Sequence, residues 1–394
     1  MEVQTYLEKM KGLHQLILDV FEKEGPDEDT FKALAYFLRR KKIIEDKHDF
    51  KTALHLILKV ANNHHRPPDF SEKIEKLFTP LKDDIKNSFS EWEIFNIFKS
   101  NKRIILYFFE SSIITVNKVL FDIINTIKFR QNYYLRYFFP EFKTFLDQKY
   151  IEQNNFNEDD PDFDTKRKTG ENEQEICRMI RNDSIDEFLD HLKKTNLPLS
   201  SKIEPSIFET NLFLIHKKLT LIEYAAFFGS FQIFKYLIEN NVQISSSLWI
   251  YAIHGNNISL IHLLEEKKIL PDDETYKACI KESFKCHHNA IAKVLVYNHT
   301  QKVEDVFSWA IQFYNFRSFP ENFEEILKGV KIINSKECDI YYNMIEYDHY
   351  TLLDFFLKTN QPDINAPIIS MIICLTEFKI KFSYKISKTK FFLI

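Results

Sequence analysis

The sequence contains very little glycine and has no excess of basic charge. Only 6 of its 394 residues are glycine, whereas 38 are phenylalanine and 18 are tyrosine. Because phosphate-binding loops and tight hairpin turns depend on glycine, its scarcity favours helices joined by short polar turns. The formal net charge of −4 provides no basic field, so we expect no nucleic-acid binding.

Motifs for catalysis and cofactor binding are missing as well. The chain contains no Gly-x-Gly-x-x-Gly, Walker, His-Glu-x-x-His or Gly-x-Ser-x-Gly motif, each of which supports a recognisable chemistry. The chain has five cysteines, an odd number, and they are widely spread along it. This distribution is typical of a protein in a reducing compartment and not of a disulfide framework. We therefore predict a non-enzymatic protein without a cofactor.

One cluster of residues suggests zinc at first sight. Cys279 is separated by six residues from Cys286, which His287 and His288 follow directly, but this spacing is not that of a zinc finger or ribbon. The pattern of the surrounding helices predicts core cysteines and histidines at a helix end, and hence no metal site. His64 likewise stands at a predicted helix end.

The sequence shows no secretory signal and no membrane span. The first residues lack a basic segment followed by an apolar one, so an intracellular, cytoplasmic location is expected. The most apolar stretch, 104–124, is interrupted by Glu110, Lys118 and Asp122. Because charged groups at membrane depth cost about 2.5–3.5 kcal/mol each, we predict a pair of buried helices here.

Four segments differ in composition. Residues 1–150 show helical spacing of apolar residues and predict an all-helical domain, either degenerate repeats or a separate fold. Residues 151–173 carry an acidic run and then a basic run, and predict a solvated linker. Residues 174–366 are predicted to be helical repeats. Residues 367–394 form a basic and apolar tail, for which a capping element, a tail without a role, or attachment to a membrane or nucleic acid remain open.

The clearest unit begins at Thr220. Thr220 and Glu223 form the pattern of a capping box at a helix start, and Gly229 is suited to the left-handed conformation that ends a helix. Small residues at 225–226 allow close helix packing, and Ile233, Phe234 and Leu237 form the apolar stripe of a second helix. The segment therefore predicts a helical hairpin.

The same plan recurs along the chain. Positions equivalent to Ala225 follow at intervals of 27–34 residues: Ala252, Ser283, Ala310 and Met344. The residues five before them predict N-caps at Thr220, Ser247, Asp305 and Asp339, with Ala278 as the exception. The residues four after them are Gly229, Asn256, His287, Tyr314 and Asp348. All but Tyr314 are residue types that tolerate positive φ.

This pattern resembles the ankyrin-repeat family. The segments 220–223, 225–229 and 233–238 stand where that family has its helix start, its Ala-Ala-x-x-Gly end and its second helix, and residues 363–366 look like its turn. Large protist families of ankyrin-type proteins that carry a domain of unknown function are similar over most of the chain. The missing proline and histidine of the opening motif and the short spacings imply short or absent β-hairpin fingers. The resemblance implies an all-α solenoid of degenerate helical-hairpin repeats.

Such a solenoid binds proteins through its concave face. In this arrangement a row of side chains is expected on or near that face: Tyr224, Phe227, Phe228, Tyr251 and His254. An exposed apolar row marks an interface, although shortened fingers would also let helices pack over it. We therefore predict a scaffold for an unidentified protein partner, with no catalysis. The alternatives are an effector that acts on foreign proteins through the same surface, and an unrecognised enzyme in the N-terminal half.

Overall fold

The computed structural model describes residues 2–64, 69–126, 131–153, 160–215, 217–299, 303–319, 321 and 337–360. These residues are mostly α-helical, which confirms the predicted all-α class. The described residues contain no strand, and their one isolated β-bridge joins Lys202 and Thr220. Among them no helix combines the length and apolarity needed to cross a membrane. The predicted turn at residues 363–366 and the tail 367–394 lie outside the described residues.

The helices before residue 170 are short, apart from the first three. In chain order they are α1 (Glu2–Glu22), α2 (Glu28–Arg40), α3 (Lys47–Asn63), α4 (Phe70–Phe78), α5 (Lys82–Ser88), α6 (Glu91–Phe98), α7 (Lys102–Glu110), α8 (Lys118–Thr126), α9 (Gln131–Tyr137), α10 (Phe139–Phe142), α11 (Gln148–Gln153) and α12 (Phe163–Thr169). The apolar stretch 104–124 falls on α7 and α8, as the predicted pair of helices.

The helices after residue 170 come mostly in pairs. They are α13 (Glu175–Arg181), α14 (Ile185–Thr195), α15 (Leu221–Phe228), α16 (Phe231–Glu239), α17 (Leu248–Gly255), α18 (Ile258–Glu266), α19 (Lys277–Lys285), α20 (Asn289–Asn298), α21 (Val303–Gln312), α22 (Glu337–Glu346) and α23 (Tyr350–Asn360). Short 3₁₀ helices span Thr79–Leu81, Lys143–Phe145 and Phe316–Ser318.

The chain forms two compact units. The first consists of Met1–Asp19, Lys32–Lys59 and Thr300–Ile394, and the second of Val20–Phe31 and Val60–His299. These units group the helices differently from the sequence-based segments. The predicted boundaries near residues 150 and 173 both fall inside the second unit.

Paired helices fill the later part of the second unit. The first helix of each pair packs against the first helix of the next, in the order α13, α15, α17 and α19. The second helices α14, α16 and α18 pack in the same order. Their predicted apolar stripes are buried: Ile233, Phe234, Leu237, Leu260, Ile261, Leu264, Ile291, Ala292 and Leu295.

The helix ends repeat one geometry. Gly229, Asn256, His287 and Asp348 all have positive φ, as predicted. Tyr314, the one residue type in this set that does not favour positive φ, also has φ +58. At four of these ends, the backbone N–H of the residue after the positive-φ residue donates to the carbonyl five residues earlier. The bonds are Ser230 to Ala225, His288 to Ser283, Asn315 to Ala310 and His349 to Met344. These bonds satisfy carbonyls that the helix end would otherwise leave unpaired.

The helix starts agree less well with the prediction. Thr220 forms the full capping box with Glu223. Ser247 occupies the N-cap position without a side-chain bond. Asp305 and Asp339 lie within α21 and α22, so the predicted N-caps there are wrong. A side chain is a weaker determinant of a helix start than the packing that decides where the helix is needed.

The segment predicted to be a solvated linker is folded where the structure describes it. Residues 154–159 lie outside the described part, but α12 follows at once. Its Arg167 is buried and forms an ion pair with Glu141, at 2.6 Å from Nη1 to Oε2. The Tyr137 hydroxyl donates to the Arg167 carbonyl at 2.6 Å. The charged run therefore contributes an internal ion pair as well as a solvated face.

The first unit contains a cluster of aromatic side chains around Tyr314. In its C-terminal part α22 packs against α21 and α23. The Tyr314 ring lies between His55, with ring centroids 5.3 Å apart, and His349, at 4.4 Å. The His349 Nε2–H donates to the Ile311 carbonyl at 2.8 Å. These contacts bring residues from α3, α21 and the turn before α23 together.

Candidate functional site

The predicted binding row is buried. Tyr224, Phe227, Phe228, Tyr251 and His254 have exposed fractions of 2%, 0%, 4%, 8% and 2%. The expectation that these side chains form an exposed apolar row is therefore wrong, although the register placed them correctly on the facing helices α15 and α17.

The cover is the insertion between α14 and α15. Its Phe213 ring stacks on Phe227 at 5.7 Å and an interplanar angle of 8°, and meets Tyr251 at 5.3 Å edge to face. The same ring lies 4.2 Å from the His254 ring. Aromatic pairs at such distances contribute about 0.5–1.5 kcal/mol each beyond the area they bury. The insertion therefore completes the core of the helical pairs, which the shortened spacings alone do not predict.

Two lysines lie above this aromatic group. Lys217 Nζ is 3.6 Å from the Phe213 ring centroid and 5.6 Å from that of Tyr251. Lys285 Nζ is 5.5 Å from the Phe213 centroid. Partial burial lowers the pKa of Lys217, and the neighbouring Lys285 charge lowers it further. The surface over the predicted row is thus partly aromatic and partly cationic.

Below that surface, three titratable side chains from α17 and the end of α19 form a chain of contacts. His254 Nε2 lies 2.7 Å from Glu282 Oε1. Cys286 Sγ lies 3.4 Å from Nδ1 and 3.9 Å from Nε2 of the same imidazole, and therefore over its ring. Lys285 also forms an ion pair with Glu282. We refer to His254, Glu282 and Cys286 as the His–Glu–Cys cluster.

The protonation states follow from these contacts. Burial raises the pKa of Glu282, but hydrogen bonds from His254 and Lys285 outweigh it and bring the pKa down to about 2. Burial lowers the pKa of His254, so its imidazole is neutral. Because a carboxylate only accepts, the Nε2 atom of His254 carries the proton and donates to Glu282. Burial raises the pKa of the Cys286 thiol.

The end of α3 closes the cluster on one side. Asn63 Nδ2 donates to the Lys285 carbonyl at 3.2 Å, and His64 Nε2 donates to the Cys286 carbonyl at 3.1 Å. Asn63 Oδ1 also lies 3.7 Å from Cys286 Sγ. These bonds satisfy carbonyls at the end of α19. Burial lowers the pKa of His64 to about 4, so the neutral imidazole donates here.

An open cleft of about 680 Å³ lies beside the His–Glu–Cys cluster. His64, His254, His288 and Asn63 line its inner wall, and residues 21–25 line another part. The rings of His64 and His288 meet at 5.1 Å, edge to face. Three imidazoles therefore share one wall, directly beside a thiol that is itself fully buried.

The cluster has the residue types of a thiol nucleophile with its base, but not the required state. A catalytic cysteine needs access to solvent and a lowered pKa, which helix N-termini or nearby cations supply. Cys286 is fully buried and stands at the C-terminal end of α19. Burial raises its thiol pKa, so the geometry does not favour nucleophilic attack.

A second polar pocket lies next to α7. Arg103, Glu171 and Glu209 converge on it, together with Asn62 and Asn101. Arg103 Nε donates to the Thr210 hydroxyl at 3.1 Å, and burial raises the pKa of Glu209. The cavity measures about 20 Å³, which is enough for roughly one water molecule. It is too small to hold a substrate in this conformation.

The sequence contains a signal for the His–Glu–Cys cluster in the repeat register. His254 stands two residues after Ala252, which is equivalent to Ala225. Glu282 and Cys286 stand one residue before and three residues after Ser283, the next equivalent position. Neighbouring first helices pack together in such an array, so these positions face each other. The approach of Asn63 and His64 has no such signal. Comparisons with protein-family models, curated proteins and solved structures found no match for this chain.

Proposed function

We propose that the chain is a non-enzymatic, protein-binding scaffold built as an ankyrin-like helical repeat solenoid. The observation that carries the proposal is the ordered packing of α13, α15, α17 and α19 in one layer and of α14, α16 and α18 in another. Arrays in which each unit contacts only its neighbours present extended surfaces, and proteins use those surfaces to bind partners.

Recurring bonds between successive units support the repeat. The Ser230 hydroxyl donates to the Ile180 carbonyl of the preceding helical pair. Asn257 Nδ2 donates to the Gly229 carbonyl at 2.9 Å. In the first compact unit, the Nε2 atom of His349 makes a similar bond to the Ile311 carbonyl of the preceding helical pair. Each donor follows a left-handed helix end, so one local device links different helical pairs.

The binding surface that we propose lies over the buried row and not in it. Phe213 is partly exposed there, and Lys217 is exposed. Lys217 stacks on the Phe213 ring and forms no salt bridge with any residue that the structure describes. A cation held on an aromatic ring without a carboxylate suits an acidic or aromatic segment of a partner, because both compensate the charge.

The test is a capture experiment with charge-reversed variants. Immobilised intact chain is compared with Lys217→Glu, and with Lys218→Glu as the control, since Lys218 pairs with Glu204 at the surface. Proteins retained from extract are identified, purified and then measured for affinity against all three baits. We expect Lys217→Glu to weaken the affinity at least about tenfold, or about 1.4 kcal/mol, and Lys218→Glu to leave it unchanged.

The two possible failures differ. Equal affinity of all three baits for the same partner would show that the surface is elsewhere on the array. Retention of nothing by the intact chain would contradict the scaffold itself. Circular dichroism of each bait shows that a loss of binding does not reflect unfolding.

A further inference from the structure

The C-terminal part of α2 and the turn that follows it carry a dense group of cations. No acidic residue lies between Asp29 and Glu45, and the positive net charge of this stretch contrasts with the formal net charge of −4 of the whole chain. Its basic residues are all exposed: Lys32, Arg39, Arg40, Lys41 and Lys42. The excess of positive charge is therefore local to one place on the first unit.

The helix places part of this group on one outward face. Lys32, Tyr36 and Arg40 follow one another at intervals of four residues and therefore share a side of α2. On the opposite side, Leu34 and Leu38 are 1% and 0% exposed and attach the helix to the core. Tyr36 is 61% exposed. The helix is thus amphipathic, with an outer face that is both cationic and aromatic. We refer to the five basic residues together with Tyr36 as the basic surface.

Three of the positive charges have no carboxylate partner in the described part of the chain. They belong to Lys32, Arg40 and Lys41. The Arg40 guanidinium lies 5.8 Å from the Tyr36 ring centroid, and Lys41 Nζ lies 5.9 Å from that of Phe37. A contact with an aromatic ring holds a cation in position but does not neutralise it. The charges therefore remain available to an anionic partner.

The needs of the helix end do not account for this many cations. Basic residues in the last turn compensate a helix dipole equivalent to about half a charge, and Arg39 and Arg40 occupy that turn. Lys41 and Lys42 come after the end of α2. Lys42 pairs with Glu45 at 3.6 Å, but both side chains are exposed, and such a pair contributes little to stability.

We propose that the basic surface docks on a membrane surface that contains anionic phospholipids. Clusters of about four to eight basic residues on an amphipathic helix are attracted by anionic headgroups. Tyrosine side chains favour the boundary between the headgroups and the acyl chains. The inference goes beyond protein binding at the Phe213 surface and does not depend on it. It also assigns membrane contact to a folded helix, whereas the sequence had suggested it only for the tail 367–394.

The shape of the surface favours a lipid plane over a nucleic acid. Lys32 and Arg40 are separated by about 12 Å along the helix axis, and both project from the outside of a single helix. Proteins that bind single strands instead line a groove with several rings on which bases stack. Here Tyr36 is the only aromatic residue of α2 classed as exposed, and the Arg40 guanidinium already lies over its ring.

The test measures the partition of the full chain onto vesicles by sedimentation. One set of vesicles is pure phosphatidylcholine, and the other contains phosphatidylcholine and phosphatidylserine in a two-to-one ratio. The variant Lys32→Gln/Arg40→Gln removes two cations from the basic surface. The matched control Lys267→Gln/Lys268→Gln removes two exposed lysines directly after α18, so both double variants change the net charge equally.

We expect the wild type and the control to bind the vesicles with phosphatidylserine and not the vesicles without it. Each cation close to an anionic surface strengthens the partition about fivefold. The Lys32→Gln/Arg40→Gln variant should therefore bind about thirtyfold more weakly than wild type. At an ionic strength of about 1 M, where the Debye length falls to about 3 Å, the wild type should leave the vesicles.

Three results would overturn the proposal. The first is a wild-type protein that fails to bind, or that binds both kinds of vesicle equally. The second is an equal loss of binding in the control, which would show that net charge and not the basic surface is responsible. The third is tighter binding of a single-stranded oligonucleotide or of polyglutamate with the same dependence on Lys32 and Arg40, which would assign the surface to a nucleic acid or an acidic protein. Because the wild-type comparison of the two vesicles is decisive in itself, the test stands even if one variant does not fold.

Discussion

Gly255, the last residue of α17, lies where the backbones of two first helices approach most closely. A Cβ added there would stand 2.2 Å from the Ala226 carbonyl oxygen and 2.9 Å from both the nitrogen and Cα of Gly229. These are backbone atoms of α15 and its end, so no side-chain rotation relieves the overlap. Ordinary contact begins near 3.4 Å, and Gly255→Ala must therefore separate α15 and α17 by about 1 Å.

The magnitude follows from three contributions. Overpacking that moves backbone costs about 3 kcal/mol. The separation also strains the Asn257 bond to the Gly229 carbonyl, a loss of about 1 kcal/mol. Alanine offsets about 1 kcal/mol through its higher helix propensity. We expect Gly255→Ala to lower the free energy of unfolding of this region by about 3 kcal/mol.

Hydrogen–deuterium exchange measures this locally, which matters in a chain of two compact units. A loss of about 3 kcal/mol accelerates exchange of the amides in α15 and α17 about a hundredfold. The matched control is Gly12→Ala, where the added Cβ meets only the outer Phe37 ring atoms, at 3.1 and 3.4 Å. That ring can shift, so a change within about 1 kcal/mol is expected. Exchange in Gly255→Ala within threefold of wild type would refute the reasoning.

Two further predictions concern a helix start and a buried histidine. Thr220→Ala removes the capping box of α15 and should cost about 1 kcal/mol in urea unfolding, and a variant as stable as wild type would show that packing alone sets this helix start. Burial lowers the pKa of His349 to about 4, so the folded state resists protonation of this imidazole. The stability that neutral His349 contributes is therefore complete above pH 6.5 and is lost as the pH falls towards 4. His349→Asn can still donate to the Ile311 carbonyl but does not titrate, so its loss of unfolding free energy between pH 7 and pH 5 should be about 2 kcal/mol smaller than that of wild type; equal losses in the two proteins would contradict the role of His349.

The local features of the fold were largely predictable. The ends at Gly229, Asn256 and His287 follow from residue types that tolerate positive φ, and the buried stripe at Ile233 follows from helical spacing. Tyr314 shows the limit of this argument. Its ring packs between two histidines, and such tertiary contacts compensate the cost of a left-handed conformation that is rare for its residue type.

The candidate sites were less predictable because they depend on the path of segments without a repeat pattern. The row from Tyr224 to His254 was assigned to the right helices, yet its exposure depended on Phe213, whose segment has no periodicity. The His–Glu–Cys cluster joins α17 to the end of α19, and Asn63 approaches it from more than 200 residues away in the sequence. Spacing within one helix cannot show such a cluster.

The sequence by itself determined the all-α class, the helical pairs and the helix ends, because these depend on interactions within a few residues of the chain. Caps, apolar periodicity and left-handed residues all act at that range. Only the tertiary structure decided that the row from Tyr224 to His254 is covered and which polar groups meet. The insertion that carries Phe213 covers the predicted row, and the end of α3 reaches the Cys286 thiol. Contacts of this range depend on the packing of the whole unit, for which local propensity provides no measure.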